Sequence, residues 1–408
     1  MRFLNTIKSL GPGLLFAGAA IGVSHLVQST RAGAEFGFGL FWALIIIHFV
    51  KYPFFQFGPR YAMATGESLI SGYKKLGNWV LLLYVILTFI IMFIIQAAVT
   101  IVTAGLAINL FGFSNNLITW SIIITFVSLL ILVLGKYSFL DKIMKVIIII
   151  LSISSIIAVF FALKNNTFSF SFQQVLPNNK IEIAFLIAFL GWMPAPLDVS
   201  VWQSIWTIEK KKVTKSYHIK SAIFDFNIGY ITTLFLGFCF IALGALVMFH
   251  SGEVFSSSAS KFSEQLLLLY TQNLGSNMAI FISIAAFTTM FSTTLTTLDA
   301  SPRSLAKSIE VLTNTKVNGY YFFWIMLLSF GTIVILTWFI SDMKLMVKIA
   351  TIFSFITAPF YAITNFILIT SKHTPKEYQP KLALRILSII GILFLIGFTF
   401  WFLWSLIL

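Results

Sequence analysis

From Asn78 to Phe111 the chain reads NWVLLLYVILTFIIMFIIQAAVTIVTAGLAINLF without one charged side chain. Such a run is stable where its backbone groups are satisfied within the segment and its side chains meet hydrocarbon, so it predicts a transmembrane helix. The pattern recurs along the chain. About eleven runs of this kind centre near residues 20, 47, 95, 125, 152, 193, 239, 287, 329, 357 and 396, and the connections between them are short. With 59% hydrophobic and 10% charged residues, the expectation is an all-α polytopic membrane protein whose permanent partner is the lipid bilayer. It is read as a single transmembrane domain over residues 1–408.

A formal charge of +14 would suit a nucleic-acid binder, but the placement of the charge argues otherwise. With a cytoplasmic N-terminus, only Arg31, Lys164, Lys180, Lys261, Lys344 and Lys348 of the 27 basic residues fall on the outer side. That bias predicts the N-terminus inside and the C-terminus outside, in the cell membrane, with no role for nucleic acid. The longest polar stretches, 51–78 and 205–229, are expected at the cytoplasmic face. Cys239, the one cysteine, lies in an apolar span and excludes an intrachain disulfide. The first apolar run opens on Gly-Pro-Gly and is read as a span, not as a cleavable signal peptide. No His-Glu-x-x-His helix, nucleophile elbow or phosphate-binding glycine loop is present, so neither an enzyme nor a bound cofactor is expected.

Two spans are interrupted. In GPGLLFAGAAIGVSHLVQSTRAGAEFGFG (11–39), Gly22, Ser24, His25, Gln28, Ser29 and Thr30 break an apolar run. In AFLIAFLGWMPAPLDVSVWQSIW (184–206), Pro194 and Pro196 each remove a backbone donor, and Asp198 follows where a second half-helix would begin. The breaks lie five spans apart. That spacing predicts a five-plus-five inverted repeat, with repeats at about 10–163 and 181–371 and an extra helix at about 383–407, and a substrate site where broken helices 1 and 6 cross.

At these residues the sequence resembles the Nramp family of divalent-metal transporters, which share the leucine-transporter-like fold. The resemblance rests on the Gly11–Gly39 stretch, on RYAMATGESL (60–69) and on APFYA (358–362). It implies secondary-active metal-cation transport by alternating access, driven by protons. The site itself departs from the family. The family's first-helix Asp-Pro-Gly-Asn, whose Asp and Asn ligate the ion, aligns with Gly22, Val23, Ser24 and His25. Its sixth-helix Ala-Thr-Val-Met-Pro-His aligns with Trp192 through Leu197, so Ala195 stands at the thioether position. A one-residue shift brings Asp198 to the histidine position. The acids of the family's third helix and the arginine of its ninth are missing from 78–111 and 317–341.

The substrate site is therefore expected at Gly22, Ser24, His25, Trp192, Ala195 and Asp198, with His25 and Asp198 as the candidate metal ligands. His25 is read as a ligand or proton carrier, against a histidine that merely bonds unwound backbone. Asp198 supplies the missing negative charge, or caps the second half-helix, or both. Thr289, Ser292, Thr293 and Thr296 share a helical face and are candidates for a coupling sodium ion, although hydroxyls that bond back to their own helix fit them better. Gln96, Thr100 and Thr103 form a weaker stripe assigned to packing, as are Trp192 and Trp202. Asp225 is read as a cap at the start of the seventh span. His48 and Lys51 are expected to snorkel to the inner surface. Two further readings follow from the altered ligands: a sodium-coupled carrier of a small polar solute, and a sensor that does not transport.

Overall fold

The computed structural model describes residues 10–134, 137–165, 171–214, 216–249, 255–274, 279–316, 319–339 and 342–407. Every regular element among the described residues is helical. The first apolar run is divided into α1 (Pro12–Ala20), a π-wound stretch (Val23–Ser29) and α2 (Thr30–Phe36). There follow α3 (Phe41–Thr65), the short α4 (Leu69–Leu76), α5 (Asn78–Phe111), α6 (Leu117–Leu134) and α7 (Tyr137–Asn165). The second divided run is α8 (Lys180–Trp192) and α9 (Val199–Val213). The chain continues through α10 (Ile219–Val247), α11 (Ala259–Leu274), α12 (Ala279–Thr313), α13 (Tyr320–Val334), α14 (Met343–Thr370) and α15 (Leu382–Ile407).

Among the described residues, eight segments are long and apolar enough to cross a membrane, with the α1–α2 run taken as one. The sequence expects about eleven, and the eight are a count over the described residues alone. Of α7 that count takes in only the apolar stretch Ile148–Lys164. Two prolines split α8 from α9, so neither half is long enough by itself. Large apolar side chains such as Phe49, Phe126, Phe160, Phe330, Leu393 and Phe400 are exposed around the outside, as a hydrocarbon surround requires.

The divided helices are held by unbroken ones. α10 packs along α1, α2 and α3, α9 lies against α3, α8 against α14, and α12 against α5. Small residues permit this closeness: a Cβ on Gly229 of α10 would lie 2.0 Å from the Gly13 carbonyl oxygen of α1. The stripe of Gln96, Thr100 and Thr103 faces α12, where Gln96 Nε2 donates to the Thr294 carbonyl (3.2 Å) and Thr297 Oγ1 donates to Gln96 Oε1 (2.7 Å).

The reading of 51–78 as one polar cytoplasmic stretch needs correction. α3 runs on to Thr65 through Pro53 and Pro59 and ends at Gly66, whose φ of 75° suits a left-handed cap. Prolines are tolerated there because packed neighbours compensate the freed carbonyls. Lys51 is consequently mid-helix, about 15 Å along α3, and is fully buried, while His48 is 2% exposed. Neither side chain snorkels.

Candidate functional site at the two helix breaks

At the first break the backbone leaves α-geometry at Ile21 and Gly22. Gly22 is required by close approach: a Cβ there would lie 2.5 Å from Thr293 Oγ1 of α12. Thr293 Oγ1 donates to the Gly18 carbonyl and to the Thr289 carbonyl, both at 3.2 Å, which ties α12 to the end of α1. His25 is fully buried. Its Nε2 lies 2.9 Å from the Thr233 carbonyl of α10, and a carbonyl only accepts, so Nε2 carries a proton. Its Nδ1 lies 2.7 Å from Ser24 Oγ and 3.2 Å from the Ala20 carbonyl. Ser24 Oγ also donates to the Ala20 carbonyl. Both ring nitrogens are thus turned to protein partners.

At the second break, Phe189 still accepts from the Met193 N–H (3.1 Å), and regular bonding ends there. The donor for the Leu190 carbonyl would be residue 194, which is proline, and the chain then turns away before residue 195 can serve Gly191. These carbonyls are served from another helix. Lys51 Nζ donates to the Leu190 (2.8 Å), Gly191 (2.7 Å) and Ala195 (3.2 Å) carbonyls. Gly191 is pressed against α14, where a Cβ would lie 2.2 Å from the Thr351 carbonyl oxygen.

Asp198 occupies the position before α9, but its side chain makes no capping hydrogen bond. It is 7% exposed, and its Oδ1 has no hydrogen-bond partner. It interacts through space with Lys51, Tyr73, Tyr84 and Tyr361. Trp202 Nε1 and both amide atoms of Gln203, one turn further along α9, are also buried and unpartnered. Uncompensated polar atoms at this depth are costly, so their concentration marks a place where something else binds.

Between the breaks lies a chamber of about 30 Å³, roughly one water in size. Ser24, Trp192, Ala195 and Thr293, all anticipated from the sequence, line it together with Val99, Val199, Trp202 and Thr297. Gly22, His25, Asp198, Thr289, Ser292 and Thr296 do not line it. Trp192 Nε1 donates to Ser354 Oγ of α14 (2.8 Å), which fixes the indole in the wall. Thr289, Ser292 and Thr296 each donate to a carbonyl of their own helix at 2.7 Å. Among the described residues no thioether lines the chamber wall: Met193 Sδ lies 3.7 Å from Ser29 Oγ instead. Among the described residues no three His, Cys, Asp or Glu side chains gather as a ready-made metal cluster.

One face of α9 leads from the chamber to a second space. Val199 and Trp202 line the chamber, whereas Ile205, Ile208, Glu209 and Lys212 line an open vestibule of about 490 Å³ bounded also by Glu67, Arg303, Lys307 and Tyr321. Asp225 lies two turns inside α10, not at its start, and caps a different helix. Its carboxylate accepts from the Gly11 N–H (3.0 Å), the Gly13 N–H (2.9 Å) and Tyr217 Oη (3.0 Å), at the N-terminus of α1.

Sequence reasoning named Lys51 but sent it to the inner surface, although one sign of another role was visible: a lone lysine following an apolar run, Phe41–Val50, whose only other polar side chain is His48.

Two divided helices meeting at a small chamber, with a far larger vestibule beside it, define a secondary transporter of the leucine-transporter-like fold. A family model described as natural resistance-associated macrophage protein-like matches residues 13–405, and the chain belongs to that family. It is 34% identical over 397 residues to the uncharacterized protein PM0681 of Pasteurella multocida (strain Pm70), covering 96% of this chain and 90% of the relative. Its fold is similar to a crystal structure of a mutant Eremococcus coleocola manganese transporter, with a TM-score of 0.73 at 13% identity over 95% of this chain and 84% of that one. It is also similar to Mhp1, a nucleobase-cation-symport-1 family transporter in a closed conformation (TM-score 0.60, 15% identity, 96% and 92% covered).

Proposed function

We propose that the protein carries a divalent metal cation across the cell membrane by alternating access, with its N-terminus and the vestibule on the cytoplasmic side. The observation that carries this reading is the buried Asp198 carboxylate, whose Oδ1 has no hydrogen-bond partner, one residue from the chamber wall at the start of α9. Family membership supports a metal as cargo. The donor set narrows which metal. Asp198, Ser24, Thr293, Thr297 and freed backbone carbonyls are all oxygen donors, and among the described residues no sulfur lines the chamber. Oxygen sites favour hard ions such as magnesium and manganese over cadmium or zinc.

A chamber of one water's volume does not hold a hydrated divalent ion, so this conformation is read as closed, with the Trp202 face of α9 withdrawing to join chamber and vestibule. The Lys210–Lys212 cluster at the end of α9 supports the cytoplasmic assignment of that face. The inverted repeats are assigned to about 10–163 and 181–371, with α15 outside them. α5 has no ionisable group apart from Tyr84, so the route of a coupling proton is assigned to His25 and Asp198 at the breaks.

The test is metal influx into proteoliposomes, reported by a trapped metal-sensitive dye, with magnesium, manganese and cadmium compared at equal concentration. Magnesium or manganese influx exceeding that of cadmium, and lost in Asp198→Ala, is the expected result. Cadmium influx exceeding both, or no influx of any of them, overturns it.

A further inference from the structure

We infer that Lys51 is an intramolecular cation: its ammonium fills, from the protein's own chain, a small monovalent-cation site formed by the Leu190, Gly191 and Ala195 carbonyls. Three facts combine. The ammonium is fully buried near the middle of α3, where an unpaired charge is very costly. It has three donors and no acceptor, and three carbonyl oxygens lie within 3.2 Å of Nζ. Those oxygens are available because Pro194 and the turn after it strip the end of α8 of its donors, and a helix C-terminus carries partial negative charge.

Among the described residues no carboxylate approaches Nζ within the 4.0 Å of an ion pair, and Asp198 acts on it only at longer range. The site is therefore a carbonyl cage of the kind that coordinates a dehydrated monovalent ion, and not a salt bridge. A cage filled by a tethered ammonium holds no exchangeable ion. The broken helix is thereby kept in register with α3 in any salt, and a sodium or potassium gradient has nothing to act on at this position.

The proposal stands on the geometry of α3 and α8, independently of the metal reading, and its test contains no divalent metal. Thermal unfolding of the purified full chain in detergent is followed in choline, sodium, potassium and ammonium chloride at equal ionic strength. Wild type is expected to melt at the same temperature in all four. Lys51→Ala, which vacates the cage, is expected to melt several degrees lower in choline and to recover in ammonium with a saturable dependence. Lys51→Met, which keeps the stem but not the charge, is expected to lose as much and recover less, because its methyl end blocks the cage. Lys51→Arg tests shape. The planar guanidinium does not fit a compact three-carbonyl cage, and an intermediate loss that ammonium does not restore is expected.

Variants that can be purified only in ammonium also support the proposal. A Lys51→Ala protein that melts with wild type in choline, or that is equally destabilised in all four salts, overturns it. So does wild type whose melting temperature climbs specifically with sodium or potassium.

Discussion

The two helix breaks answer the same problem in opposite ways. At the first, Ser24 and His25 bond to each other, to the Ala20 carbonyl and to the Thr233 carbonyl, and the buried atoms left without a partner, Gln28 Oε1 and Thr30 Oγ1, lie further along the π-wound stretch and at the start of α2. At the second, the carbonyls are served by a lysine 139 to 144 residues away, while Asp198 and the Trp202 and Gln203 side chains are left unserved. The Ser24–His25 part of the first break is closed on itself, and the second is left with capacity beside the chamber. In a site that must bind and release an ion, the unsatisfied groups are the ones free to do so, which shifts attention from His25 to Asp198.

The comparison breaks first, and by most, at Asp198. Asp198→Asn keeps the shape and removes the charge. Metal influx in proteoliposomes is expected to fall at least about tenfold, a loss of roughly 1.4 kcal/mol or more. The melting temperature should hold, since Oδ1 has no hydrogen bond to lose. Unchanged influx would return the first break to contention.

Next comes the backbone at each break. Gly191→Ala forces a Cβ to within 2.2 Å of the Thr351 carbonyl oxygen, a rigid neighbour, whereas Gly22→Ala meets the Thr293 side chain at 2.5 Å. Gly191→Ala is expected to destabilise by about 2–3 kcal/mol and Gly22→Ala by about 1–2 kcal/mol. Adding Thr293→Ala should recover much of the loss at Gly22, a coupling that a double-mutant cycle of unfolding free energies would read. Additive losses would mean that Gly22 matters for its backbone conformation and not for this contact.

How far the sequence alone reaches can be judged from the same residues. Proline chemistry located the second break, and the cluster of polar residues from Gly22 to Thr30 located the first, because both are local properties. Ser24, Trp192 and Ala195, which line the chamber, were named from their position at the breaks, whereas Thr293 was named only as part of a hydroxyl face on another span. The role of Lys51 was not legible, because its partners are created by the absence of a donor on a helix far along the chain, and only tertiary contact shows that the absence needs filling. Asp225 was assigned a local capping role for the same reason. Capping is what an aspartate near a helix start does, and the helix it caps is α1, more than two hundred residues away. The polar stretch after residue 51 was misread because Pro53 and Pro59 signal a helix end in water and not in a packed membrane interior.

A smaller effect separates the roles open to His25. His25→Ala removes the imidazole's bonds to the Thr233 carbonyl and Ser24 Oγ and opens a cavity in a fully buried site, and is expected to lower stability by about 1–3 kcal/mol. His25→Gln retains a donor of similar reach and should recover part of this. Influx through His25→Gln is expected to stay within about threefold of wild type, a change of roughly 0.7 kcal/mol. A collapse of influx in a stable His25→Gln protein would instead make the imidazole a working group.

The smallest effect is expected on α12. The Ser292 and Thr296 hydroxyls donate to the Thr289 and Ser292 carbonyls of their own helix, which already have intrahelical partners. Ser292→Ala should therefore change stability by less than about 0.5 kcal/mol and leave influx unaltered with sodium present or absent. Thr293 differs because its hydroxyl also reaches the Gly18 carbonyl on α1. Thr293→Val keeps the volume but cuts that tie between the first break and α12, with an expected loss of about 1 kcal/mol. If Ser292→Ala alone abolished a sodium dependence of influx, the hydroxyl face would be an ion site after all. The closed character of the first break would then extend only as far as His25.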